Sequence, residues 1–206
     1  MNREFGGPTR LGMIIIGVVF FLIVAGLFYF ITGSGRNAEP GMSQEDIKRS
    51  LVTTINSGRS ARMTVYGPIV ADEERESYEV TVTTSSRRFA AYQGYNQTQI
   101  AASDYGNTYE AYQQLAYALA RANFDKEKKV DELAKDDRGA CATGRLYVYE
   151  LFENGDLVRR TWTTTCANTK GDFAGSNRQV AHLFNKQVPD FNNAVKVFKT
   201  LRTGNY

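Results

Sequence analysis

The sequence predicts an α+β domain held outside the cytoplasm by one N-terminal transmembrane helix. Three observations lead there. The chain of 206 residues opens with an apolar run at residues 11–31. Stretches that alternate with a period of two are grouped at residues 60–103 and 143–165, without the βαβ interleaving of a parallel sheet. Apolar residues at helical spacing recur in three flanking segments, over about 44–56, 107–122 and 177–188.

The run Leu11–Ile31 carries no ionisable side chain except Tyr29. A helix of roughly 20 apolar residues crosses the hydrocarbon layer. The run is too long for the core of a signal peptide, and Thr32-Gly33-Ser34-Gly35 is a loose match to a cleavage site. Arg3 and Arg10 precede the span and Arg36 alone follows closely, which puts residues 1–10 in the cytoplasm. Residues 32–42, with three glycines and Pro40, read as a flexible linker; they interrupt any single helix running from membrane to domain. The domain proper is then 43–206.

Ser43 opens the first helix with a partial capping box, and Ile47, Leu51 and Ile55 form its apolar stripe. Asn56-Ser57-Gly58 is expected to end it, Gly58 taking the left-handed cap. Ala61, Met63 and Val65 alternate with polar residues, as do Tyr78, Val80 and Val82. Asp72 to Glu76 lies between these strands and reads as a solvated hairpin tip. Ser85-Ser86-Arg87-Arg88 reads as the next turn. Phe89–Gln93 and Gln97–Ala102 follow as third and fourth strands, and short links favour a meander. Tyr109, Tyr112, Ala116 and Leu119 then mark a helix, with a shorter one near 125–135.

The strongest local signal is Asn154-Gly155 between two alternating runs, because a type I′ hairpin turn needs positive φ at both central residues. Folding there sets Gly144 opposite Thr165 and brings Cys141 and Cys166 together within one bulge of alignment. A disulfide between them suits an oxidising compartment. Val180, Leu183 and Phe184 mark the last clear helix, ended by Pro189. Beyond it, Phe191, Val195 and Phe198 suit a helix, whereas Val195 and Val197 suit a strand.

Chemistry-bearing motifs are sparse. His182 is the only histidine and sits beside an apolar helix face, without a G-x-S-x-G elbow. One histidine and two distant cysteines do not make a zinc site, so no metal and no cofactor is expected. Asp72, Glu73, Glu74 and Glu76 lack EF-hand spacing. Basic residues are scattered, which argues against a nucleic-acid partner. Glycoside hydrolysis needs two facing carboxylates, and the sequence does not say which acids would face. The notable compositional feature is a tyrosine cluster: Tyr92, Tyr95, Tyr105, Tyr109, Tyr112 and Tyr117. A rigid ring with a polar tip suits protein or sugar binding when exposed, and equally fills a contact between sheet and helix.

The N-terminal anchor, the stretch Asp137-Arg138-Gly139-Ala140-Cys141-Ala142-Thr143-Gly144, the aromatic hairpin and Thr165-Cys166 together resemble small membrane-anchored proteins of Saccharibacteria and related candidate-phylum bacteria. That resemblance implies a bacterial cell envelope and no known activity. It weighs against glycosylation at the sequon of Asn96. The expectation is a single-pass cell-membrane protein whose outer domain binds an envelope protein or glycan through Tyr92, Tyr95, Tyr105, Tyr109 and Tyr112. A hydrolase with paired carboxylates and a structural envelope-assembly protein are the alternatives.

Overall fold

The computed structural model describes residues 52–169 and 171–201. The expected cytoplasmic stretch 1–10, the span 11–31, the linker 32–42 and most of the first helix lie outside them. Among the described residues no helix is long and apolar enough to cross a membrane.

The fold is α+β. Among the described residues six strands form one antiparallel sheet: β1 (Arg59–Tyr66), β2 (Glu76–Thr83), β3 (Ser86–Gln93), β4 (Thr98–Gly106), β5 (Leu146–Glu153) and β6 (Asp156–Thr164). Their order is β4-β3-β2-β1-β5-β6. Successive residues of a strand point to opposite faces, and the register decides what each face carries. Ala61, Met63 and Val65 of β1 align with Val82, Val80 and Tyr78 of β2, and with Leu151, Tyr149 and Tyr147 of β5. These side chains are all buried and form the inner face.

Helices α1 (Tyr109–Arg121) and α2 (Asn177–Asn185) contribute to the inner core. Each starts where a hydroxyl takes an otherwise unpaired N–H: Thr108 accepts from Ala111, and Ser176 from Gln179. Leu115, Ala116 and Leu119 of α1 and Val180 and Phe184 of α2 enter the core. Tyr149 anchors one aromatic cluster, with Phe124, Phe173 and Phe184 around it. Tyr78 anchors another, with Phe89, Phe191 and Phe198. Burying one such ring contributes about 1.5–3 kcal/mol.

The tail resolves as helical. A short helix α3 (Phe191–Ala194) leads into a 3-10 turn (Val195–Val197), so Val195 and Phe198 are buried while Val197 faces out. The tail is clasped to β2 by a carboxylate expected to be solvated. Glu76 is buried and accepts from the backbone N–H of Lys199, Thr200 and Leu201, and from the Thr200 hydroxyl. Arg145 adds a bond to the Leu201 carbonyl. Burial opposes ionisation of Glu76, but these donors outweigh it and hold its pKa below the ordinary value.

Other expectations needed correction. Residues 52–56 are not helical; a turn there leads into β1, and Val52 is buried. Gly58 does not take the left-handed conformation. Its lack of a side chain instead allows the β5–β6 turn to approach: a Cβ there would lie 2.0 Å from Asn154 Oδ1 and 3.0 Å from Asn154 N. Gly58→Ala is therefore expected to cost about 1–3 kcal/mol, read as a lower midpoint in urea at unchanged slope. Arg87 and Arg88 belong to β3, not to the turn before it. No α-helix forms over 125–135. Glu127 bridges Phe173, and the chain continues to a 3-10 turn (Glu132–Lys135) that meets the outer face of β6, where Trp162 Nε1 donates to the Lys135 carbonyl. The segment is held by the sheet it crosses, not by its own periodicity.

The hairpin and the disulfide form as the sequence implies. Asn154 and Gly155 have φ of 53° and 93°. A bulge at Leu151/Phe152 shifts the register by one, so Leu146 pairs with Thr164 and Arg145, rather than Gly144, meets Thr165. Cys141 and Cys166 are bonded, with Cα atoms 5.7 Å apart. Gly144 lies under this bridge, where a Cβ would sit 2.7 Å from Cys141 Sγ.

Candidate functional site

The outer face of the sheet carries polar rows beside a buried apolar patch at Val148 and Trp162. One row runs Arg160, Glu150, Arg62, Thr81, Arg88, Asp104 across all six strands. Its charges are paired: Arg62 with Glu150 at 2.7 Å and Glu79 at 3.7 Å, Arg88 with Asp104 at 2.7 Å, and Arg160 with Asp137. A second row runs Leu146, Tyr66, Ser77, Tyr92, Gln99. Beside Tyr66 a cleft of about 390 Å³ opens.

Three segments wall this cleft. The first is the β1–β2 connection, which brings Gly67, Ile69 and Arg75. The second is the β3–β4 turn, which brings Tyr95. The third is the loop 137–141 in front of the disulfide. They are tied together by local bonds. Asp72 Oδ1 accepts from the backbone N–H of Tyr95 at 2.7 Å, and Gly94 N–H donates to the Arg75 carbonyl at 2.8 Å. Gly94 has φ of 78° and carries the tight turn. Ile69 N–H donates to the Ala142 carbonyl at 2.8 Å, joining the first wall to the third. Gly139, with φ of 68°, supplies the turn anticipated in the third.

Arg75 is the central group. Its guanidinium carbon lies 5.6 Å from the Tyr66 ring centroid and 5.3 Å from that of Tyr95, within the range of cation–π attraction. Nη1 donates to the Gly67 carbonyl and, at 2.6 Å, to that of Pro68. No carboxylate among the described residues comes within ion-pair distance of it, unlike the arginines of the charged row. Burial lowers its pKa from the ordinary value, yet a guanidinium stays charged at any physiological pH.

The two rings are fixed. Tyr95 is 51% exposed and its hydroxyl donates to the Val70 carbonyl at 2.8 Å. The Tyr66 hydroxyl accepts from Gln97 Nε2 at 3.3 Å. Burial raises the Tyr66 pKa above 10, so the phenol keeps its proton. Arg138 and Arg160 also line the cleft, each paired with an acid: Arg138 with Asp136 and Arg160 with Asp137.

The expected tyrosine cluster splits between the two sides of the sheet. Tyr92 is half-buried on the outer face, two row positions from Tyr66 with Ser77 between them. Tyr95 is in the cleft. Tyr105 lies on the inner face of β4, near the Arg87 guanidinium. Tyr109 is exposed at the start of α1. Tyr112 is 1% exposed, and burial pushes its phenol far up. Tyr117 lines a shallow groove between α1 and α2 together with His182, which is exposed. Among the described residues no three His, Cys, Asp or Glu side chains group to hold a metal. Tyr66 and Arg75 escaped the sequence reading. The only available signal was an aromatic ending β1 and an arginine closing the acidic loop.

Fold and cleft together define an α+β sheet domain in which Arg75, without an ion-pair partner among the described residues, lies over two tyrosine rings. No protein-family model matches the chain, and no curated protein matches it.

Proposed function

We propose that the chain is a single-pass membrane protein presenting a binding module at the bacterial cell envelope, with the Tyr66–Arg75–Tyr95 cleft as its recognition site. The apolar run 11–31 and the Cys141–Cys166 bridge support the placement. The observation that carries the binding reading is Arg75: a cation over two rings, with no carboxylate among the described residues within ion-pair distance. A buried or half-buried charge is costly unless paired, and an arriving partner can supply the pair. The partner is an envelope protein or glycan.

The test uses the full chain in intact bacteria, with a photoreactive phenylalanine analogue in place of Tyr95 or, as control, Tyr109. Crosslinked adducts are expected at 95 and not at 109. Equal capture at both positions, or capture at neither, overturns the assignment of the cleft. Protease added outside the cells is expected to digest the domain; full protection overturns the placement.

A further inference from the structure

We infer that the cleft takes a carboxylate-bearing sugar, a uronate-type residue of an acidic glycan, gripped side-on by Arg75 and stacked on Tyr95; this rests on the binding reading above. The selectivity argument starts from which donors remain. Nη1 of Arg75 is committed to the carbonyls of Gly67 and Pro68. That leaves Nε–H and the Nη2 hydrogens, which meet no acceptor among the described residues. These form the side edge of the guanidinium, where two parallel N–H groups match the two oxygens of one carboxylate. The contacts with the two rings and the bonds to Nη1 hold the fork in place. The Tyr66 hydroxyl already accepts from Gln97, and its retained proton has no acceptor among the described residues. It is a further donor lining the same cleft.

The body of the ligand is constrained by the rest of the lining. Tyr95 is half exposed with its hydroxyl tethered, so it presents a fixed flat surface. Ile69, 45% exposed, adds an apolar patch. A sugar ring offers an apolar C–H face to such surfaces and hydroxyls to a polar rim. A peptide adding itself as a further strand is excluded at this position, because that mode needs a free sheet edge. The cleft sits at the ends of β1 and β2, whose flanks are both paired. A volume near 390 Å³ accommodates one or two sugar residues.

The experiment is calorimetric titration of the full chain in lipid nanodiscs with a short oligogalacturonate and with its methyl ester, which lacks the charge. Binding of the acid and about tenfold weaker binding of the ester are expected. Arg75→Lys keeps the charge but loses the fork, and is expected to weaken the acid about tenfold. Tyr95→Ala, an exposed substitution, is expected to weaken acid and ester alike. Tyr109→Ala is expected to change neither. An intact disulfide and an unchanged circular dichroism spectrum establish folding of each variant. No binding of the acid, equal binding of acid and ester, or unchanged affinity in Arg75→Lys overturns the inference. If the acid fails while photocrosslinks still form at position 95, the ligand class is wrong and the binding reading stands. If both fail, both fall.

Discussion

Replacing Glu76 with alanine is expected to destabilise the domain by about 2–4 kcal/mol and to release the C-terminal segment. The carboxylate is buried and receives four donors from residues 199–201. Hydrogen bonds to a charged acceptor are worth more than neutral ones, and deleting the acceptor leaves three backbone N–H groups to find water. Val195, Phe198 and Leu201 are the buried side chains closest to this clasp in sequence. Hydrogen exchange is the direct readout: the amides of 199–201 should lose protection first, ahead of β1. The pH dependence has a defined sign. The folded pKa of Glu76 lies below its ordinary 4.5. Its contribution is therefore complete above that value and disappears as the pH falls below it, through the folded pKa. Glu76→Gln should flatten that part of the stability profile. Asp172 works the other way, since burial raises its pKa above 3.8. The wild-type profile carries both, and only the difference from Glu76→Gln isolates the clasp. A variant with the same acid limb as wild type would rule the clasp out.

Breaking the disulfide, by Cys141→Ser with Cys166→Ser, is expected to cost about 3–4 kcal/mol on the chain-entropy account, given a sequence separation of 25. The midpoint of urea unfolding should fall accordingly. The substitution also reaches the site. Cys141 lines the cleft, and the Ala142 carbonyl beside it holds Ile69 in the opposite wall. Ligand affinity is thus expected to drop while Arg75 and both tyrosines remain. Equal stability with and without reductant in the wild-type protein would sink this account.

Local chemistry made part of the molecule legible beforehand. Asn154-Gly155 forces one turn type, and the turn fixes β5 against β6 and one cysteine near the other. Alternation along Ala61–Val65 and Tyr78–Val82 was read correctly because it repeats a geometric fact about strands. What escaped was decided by partners far away in the chain. Glu76 looked like one more acid of a solvated loop because its donors lie 123–125 residues later. Residues 125–135 looked helical, but Leu133 is 90% exposed and the segment is organised by Trp162 and Phe173. The tyrosines were close in sequence, yet two strands, a turn and a helix send them to opposite sides. Of the three residues that frame the cleft, the sequence had singled out Tyr95 alone. Tyr66 and Arg75 become neighbours because a connection doubles back, and no periodicity announces that.

The strand order bears on biogenesis. β1 lies between β2 and β5, so one flank of its backbone is satisfied early and the other late. A chain emerging N-terminus first can zip β1 to β4 as successive hairpins. Met63 and Val65 then stay on a bare ladder until Leu146–Glu153 arrives. That interval is when a second copy could donate its own β5, giving a swapped pair instead of a monomer. Slow synthesis between β4 and β5 would prolong the hazard, and a holdase covering β1 would relieve it.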